Sequence, residues 1–204
     1  MYNSAADTDL YDLFAEEKIF GKIYLMARPD GAHMDIQGNI YNIFENYFRK
    51  NHRNCGARIE DEVYFNENNY VIPDVRIFCY NKTGEKTGII VEVLSKSTRV
   101  KDLSVKMKLY AEMGVKEYWI ITPETFSIDI YSLKDNGYEL YAAYSLFFEK
   151  DFPRSKKARE EQEKTVIKEF APILFPDLVI EIEDVFYRVA NREELYNNAP
   201  DYEF

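Results

Sequence analysis

Residues 88–119, "GIIVEVLSKSTRVKDLSVKMKLYAEMGVKEYW", leave this chain few ways to fold. The β-branched, apolar run around Ile89, Ile90, Val91, Val93 and Leu94 reads as an interior strand. "DLSVKMKLYAEMG" follows at helical spacing, with Asp102 as its N-cap and Gly114 as its stop. "KEYWIITP" then returns as a second strand. Ile89 to Ile121 is the length of one strand–helix–strand crossover, which makes the two strands parallel neighbours. One residue does not belong in such an interior. Glu92 stands in the middle of the first strand, and a buried carboxylate is costly unless it meets a metal, a cation or a set of donors. A buried ion pair with a lysine or arginine is the plain structural alternative.

The rest of the chain supplies partners for that crossover. "GKIYLMA" reads as a first strand after a short acidic helix. "GAHMDIQGNIYNIFENYFRKN" repeats apolar residues at Ile36, Ile40, Ile43, Phe44, Tyr47 and Phe48, the spacing of an amphipathic helix. "ARIEDEVYF" and "NYVIPDVRIFCY" read as two strands joined by the polar turn "NENN". "FSIDIYSL" and "YELYAAYSL" flank "KDNG", a hairpin signal. Residues 149–168 are densely charged and read as an exposed insertion, and "LFPDLVIEIEDVFYRV" closes the chain with a short strand and a helix. This order gives an α/β (α+β) domain around a mixed sheet flanked by helices. All 204 residues fit a single domain, with an acidic N-terminal segment 1–17.

The net charge of −10 argues at first against nucleic acid, but the way that charge is distributed weakens the objection. Residues 1–17 hold five acids and no base, and residues 177–204 hold eight acids and two bases. What remains is nearly neutral, and residues 96–108 carry five bases against one acid, Asp102. A solvated helix face is the plain account of that run. Cys55 and Cys79 form no metal spacing and no disulfide framework, which suits a reducing interior. No stretch approaches the ~20 apolar residues of a membrane span, and no apolar signal core opens the sequence. The expectation is a cytoplasmic protein without a membrane partner.

Asp74 follows Pro73 and opens a strand, the place where proline is tolerated. If that strand pairs with the Glu92 strand, the two carboxylates converge. Two carboxylates completed by a carbonyl, waters and a substrate phosphate are enough for Mg²⁺. Lys106 and Tyr110 follow Asp102 at steps of four and share one helix stripe. Lys106 is therefore the favoured cation, and Lys96, on the strand's exit, competes for the role. His33 reads as a capping or packing residue at a helix start. It and Glu17 are left out of the candidate set.

"PDV", "VEVLSKST", then Asp102, Lys106 and Tyr110, then "GVKEYWIITP" resemble the Uma-type family of restriction-endonuclease-like proteins, assigned to the PD-(D/E)XK nuclease superfamily. "EKIFGKIYLMARP", His33 and "LFPDLVIEIEDVF" extend the likeness from about Glu17 to Phe186. The resemblance implies a nuclease core in which Asp74 and Glu92 bind metal. It implies Mg²⁺, with Mn²⁺ as the substitute, and a DNA phosphodiester as substrate. The superfamily's usual lysine place is Leu94 here; similar proteins carry the lysine on the following helix, which Lys106 matches. In them the place of Lys96 is commonly proline. Double-strand cleavage would imply a homodimer. The alternative is an inactive module of the same fold, with Glu92 and Lys106 as a structural ion pair.

Overall fold

Twelve strands and four α-helices make up the described part of the chain. The computed structural model describes residues 15–26, 28–95, 98–191, 195 and 197. Most of the acidic N-terminal segment, with any helix in it, and Lys96 lie outside these residues. The first strands are β1 (Glu16–Ile19) and β2 (Lys22–Leu25), followed by helix α1 (Gly31–Lys50). Then come β3 (Cys55–Ile59), β4 (Val63–Asn66), β5 (Asn69–Val71), β6 (Val75–Asn81) and β7 (Gly84–Val93). A π-helical turn, Lys101–Lys106, runs straight into α2 (Met107–Glu112). The chain continues through β8 (Glu117–Thr122), β9 (Ser127–Lys134), β10 (Gly137–Ser145) and the exposed helix α3 (Lys156–Glu163). It closes with β11 (Glu169–Phe170), β12 (Ile180–Glu181) and α4 (Ile182–Val185).

The crossover expected from residues 89–121 is present. β7 and β8 pair in parallel from Ile89↔Glu117 to Val93↔Ile121. They form the centre of a six-stranded mixed sheet in the order β10-β9-β8-β7-β6-β3. The side chains of β7 alternate between two cores, as the pleat requires. Ile89, Val91 and Val93 pack against Ile36, Ile40, Phe44 and Phe48 of α1. Ile90 and Leu94 pack on the other face with Leu109 and Tyr110 of α2 and with Val115. Glu92 shares the parity of Ile90 and Leu94, so the α2 side receives its carboxylate.

Two stretches that read as single strands are each broken. "ARIEDEVYF" divides into β3 and β4 at Glu60, whose φ is +48°. "NYVIPDVRIFCY" divides into β5 and β6 across Ile72–Asp74, where Pro73 has no N–H to give to a ladder. The outer halves, β4 and β5, join β1 and β2 in a separate four-stranded sheet, ordered β2-β1-β5-β4. A strand, Glu16–Ile19, thus precedes the one read from "GKIYLMA" and turns into β2 at Phe20–Gly21, both with positive φ. Gly21 takes its +78° at no steric cost.

The cysteines also differ from expectation. Cys55 and Cys79 are directly opposed in the β3–β6 register and are disulfide-bonded. Their sequence separation of 24 hides this in the sequence, because the β4–β5 excursion returns the chain to the same sheet.

Candidate active site

The register Val75↔Val91 brings the next residue on each strand, Asp74 and Glu92, side by side where the sheet ends. Asp74 is held there from two directions. Its Oδ2 accepts a 2.6 Å bond from the Val93 amide, and its Oδ1 accepts one of 3.2 Å from Gln37 of α1. His33, one turn earlier on α1, brings Nε2 to 2.9 Å from the same Oδ1, although not aligned as a hydrogen bond. Gln37 also reaches Glu60 at 3.2 Å, so the two places where the chain changes sheet are tied together by one amide.

Glu92, 2% exposed, turns toward the crossover helix. Its Oε1 accepts from Lys106 Nζ at 2.9 Å and from the Tyr110 hydroxyl at 2.7 Å. The stripe expected of Lys106 and Tyr110 is the face that meets it. Lys106 is 1% exposed and also lies 2.8 Å from Glu17 Oε1 of β1. Glu17 in turn binds Lys101 Nζ at 2.6 Å and accepts from the Ile72 amide at 3.0 Å. Asp102 is not the N-cap of the helix, which already begins at Arg99. It lies inside the π turn, where it and Lys106 are the buried residues. Such turns recur at functional sites.

Asp74, Glu92, Lys101, Asp102 and Lys106 all line one cleft of about 630 Å³. Its walls also include His33 and Glu60, Val93 at the end of β7 with Leu94 and Ser95 after it, and Pro123 and Glu124 after β8. It therefore opens at the carboxyl ends of the parallel strands, where open sheets with parallel strands bind ligands. Lys96, the rival of Lys106, lies outside the described residues.

Charge within this cluster is out of balance. Glu17, Asp74, Glu92 and Asp102 face Lys101 and Lys106, four carboxylates for two cations. Burial works to lower the Lys106 pKa, but Glu92, Glu17, Asp102 and Asp74 outweigh it and hold the ammonium charged, above the ordinary lysine value. Burial would raise Glu17, but Lys106 and Lys101 pull it below the usual carboxylate value. Glu92 goes the other way. Burial, with Asp74, Asp102 and Glu17 nearby, pushes it well above that value despite Lys106. An excess of carboxylates over ammonium groups is the chemistry that suits a divalent cation. Among the described residues no three His, Cys, Asp or Glu side chains form a ready metal cage. Two carboxylates completed by water and substrate are the arrangement Mg²⁺ favours, so the residues fit such an ion. Beside these groups, Asp102 Oδ1 is buried and takes no hydrogen bond.

Glu17 and His33, set aside on the sequence, and Gln37, Glu60 and Lys101, which are not among its candidates, all stand in the site. For Glu17 a signal existed in the Glu-x-x-x-Gly that ends at the turn glycine Gly21. For Gln37 and Glu60 there was none.

Comparison with known proteins bears on this geometry. The family model Uma2, described as "Putative restriction endonuclease", matches residues 9–152. The chain belongs to the Uma2 family. That span holds every residue of the cluster and ends before the closing segment. An "Uncharacterized protein" of Synechocystis is 28% identical over 124 residues, 57% of this chain and 65% of that protein. The chain thus spans just under two thirds of that relative's length. A crystal structure from Anabaena variabilis, of "a putative nuclease belonging to DUF820", superposes with a TM-score of 0.59 at 19% identity. It covers 86% of this chain and 91% of the other. This Uma2 member therefore has the restriction-endonuclease-like nuclease fold, a mixed α+β arrangement. Among its described residues no helix is long and apolar enough to cross a membrane.

Proposed function

We propose that this chain hydrolyses DNA phosphodiester bonds, with Asp74 and Glu92 holding Mg²⁺, or Mn²⁺ in its place. One observation carries the reading: Asp74, Glu92 and Lys106, distant in sequence, line a single open cleft whose buried carboxylates outnumber its cations. A bound divalent ion would polarise a phosphoryl oxygen and acidify a water. The chain's own residues do the rest. Val93, Gln37 and His33 fix the Asp74 carboxylate at the end of the sheet. Tyr110 and Lys106 hold Glu92 by one oxygen. Lys106, kept charged by its neighbours, offsets negative charge that develops on the phosphate. Such a lysine does not serve as the base. A double-strand cut needs two such sites, which a homodimer would supply.

The Lys106–Glu92 contact at 2.9 Å also favours a second reading. In it the pair is purely structural and the protein is a binding or scaffold module without turnover. Metal separates the two. Calorimetric binding of Mg²⁺ or Mn²⁺, with cleavage of supercoiled, linear or single-stranded DNA, supports the nuclease. No metal binding supports the module, and cleavage unchanged in Glu92→Ala removes Glu92 from the site.

A further inference from the structure

Hydrolysis of a phosphodiester requires a group that takes a proton from the attacking water, and it must lie within hydrogen-bond reach of that water. Resting on the nuclease reading, we propose that Asp102 is this group. Of the other candidates along the cleft, Lys106, Glu92 and Asp74 are engaged, and His33 Nε2, which likewise makes no hydrogen bond, lies in an ion pair with Asp74. Lys106 holds its full complement of protons between Glu17 and Glu92. Glu92 Oε1 is shared by Lys106 and Tyr110. Asp74 uses Oδ2 on the Val93 amide and Oδ1 on Gln37, with His33 Nε2 at 2.9 Å.

Asp102 is different. It is 2% exposed and lines the cleft, yet its Oδ1 accepts no hydrogen bond. The Nζ of Lys106 stands 3.8 Å away, a distance that stabilises charge but makes no hydrogen bond. A buried acceptor without a donor is unfavourable, and a water in the cleft is a donor that removes the cost. The backbone around it is fixed. The Tyr118 hydroxyl donates to the Asp102 carbonyl at 3.0 Å, and the Asp102 amide donates to Thr98 O at 3.0 Å. Burial also makes its carboxylate more basic than an exposed aspartate, with Lys106, the Thr98 side chain and Lys101 opposing and Asp74 assisting. Its charge also acts on Glu92, Lys106 and Tyr118.

In the step, one O–H bond of water breaks and its proton passes to Asp102 Oδ1. The water oxygen forms a bond to phosphorus as the bond from phosphorus to the leaving alcohol oxygen breaks. That oxygen takes a proton from solvent, and Asp102 later returns its own, so the products are a phosphomonoester and an alcohol.

The test compares the full chain with Asp102→Asn and Asp102→Glu. It reads nicking of supercoiled plasmid with Mg²⁺, Mg²⁺ affinity by calorimetry, and DNA affinity by fluorescence anisotropy. Asp102→Asn should turn over about 10²–10⁴-fold more slowly. It should still bind Mg²⁺, and its DNA affinity should stay within about threefold, since Asp102 is placed as the proton acceptor and not as a ligand. Asp102→Glu should recover about tenfold or more of that loss, because the acid remains. Lost Mg²⁺ binding in Asp102→Asn would make Asp102 a ligand and overturn the proposal. So would a rate near wild type. If Asp102→Asn does not fold, Asp102→Glu decides: folded protein without turnover overturns the assignment. A wild-type chain that binds no Mg²⁺ and nicks nothing sinks the nuclease reading itself, which distinguishes that failure from this one.

Discussion

Lys106 is the side chain around which the buried charge of the cleft is arranged, and it is not interchangeable with its partner Glu92. Removing the lysine leaves Glu17 and Glu92 buried without their shared cation. Breaking a buried pair in this way costs about 3–5 kcal/mol. Removing the charge of Glu92 leaves Lys106 still bound to Glu17 at 2.8 Å, with Asp102 close by. Urea denaturation should therefore show Lys106→Met destabilised by about 3–5 kcal/mol and Glu92→Gln by clearly less. Equal losses in the two variants would contradict this account of the charge. At this scale the sequence was readable where a residue broke a local pattern. Glu92 interrupts an apolar run, and Lys106 and Tyr110 fall on one stripe. Asp102 was misplaced as a cap because its burial depends on strands far away in the chain. Gln37 looks like any helix glutamine until Asp74 and Glu60 are seen on either side of it.

The elements that read correctly are those fixed by local periodicity: α1, the β7–α2–β8 crossover and the β9–β10 hairpin. The broken strands are where the local pattern lapses and tertiary demands take over. Alternation through "ARIEDEVYF" is interrupted by the three acids Glu60, Asp61 and Glu62, and there Glu60 turns the chain into another sheet. Pro73 was the visible hint of the second break. The same detour through β4 and β5 brings Cys79 opposite Cys55, and β3, the edge strand, is joined to β6 by their bond. Closing a loop of 24 residues limits the unfolded chain. Replacing both cysteines by serine should lower stability by ~2–4 kcal/mol. Thiol counting on denatured, unreduced protein checks the bond directly, since detection of two free thiols in wild type would rule it out. Denaturant midpoints of wild type and the double variant then check the magnitude.

Across the whole molecule, two sheets meet along the residues that carry the chain between them, and an ion network stands at one crossing. Asp61, between β3 and β4, binds Arg76 of β6, while Glu85 of β7 binds Arg76 at 2.9 Å and Arg58 of β3 at 2.6 Å. Both guanidiniums also lie 4.5 Å from the Phe78 ring. Hydrogen bonding to Arg58, reinforced by Arg76, holds the Glu85 pKa at about 2, against an ordinary 4.5. A depressed carboxylate stabilises the fold fully where both folded and unfolded chains are ionised, above pH 4.5. As pH falls below that, the unfolded chain takes up the proton first. The contribution shrinks and is gone once pH passes below about 2. Other acids titrate in the same range with either sign, so the difference between wild type and Glu85→Gln isolates this one. The network is part-exposed, and screening keeps the effect modest. Unfolding free energies measured from pH 7 down to pH 2 should show a constant advantage for wild type above about pH 5, narrowing steadily in acid. An advantage that stays level or widens on acidification would mean that Glu85 is not held by the arginines, and that the crossing between the sheets is secured by packing alone.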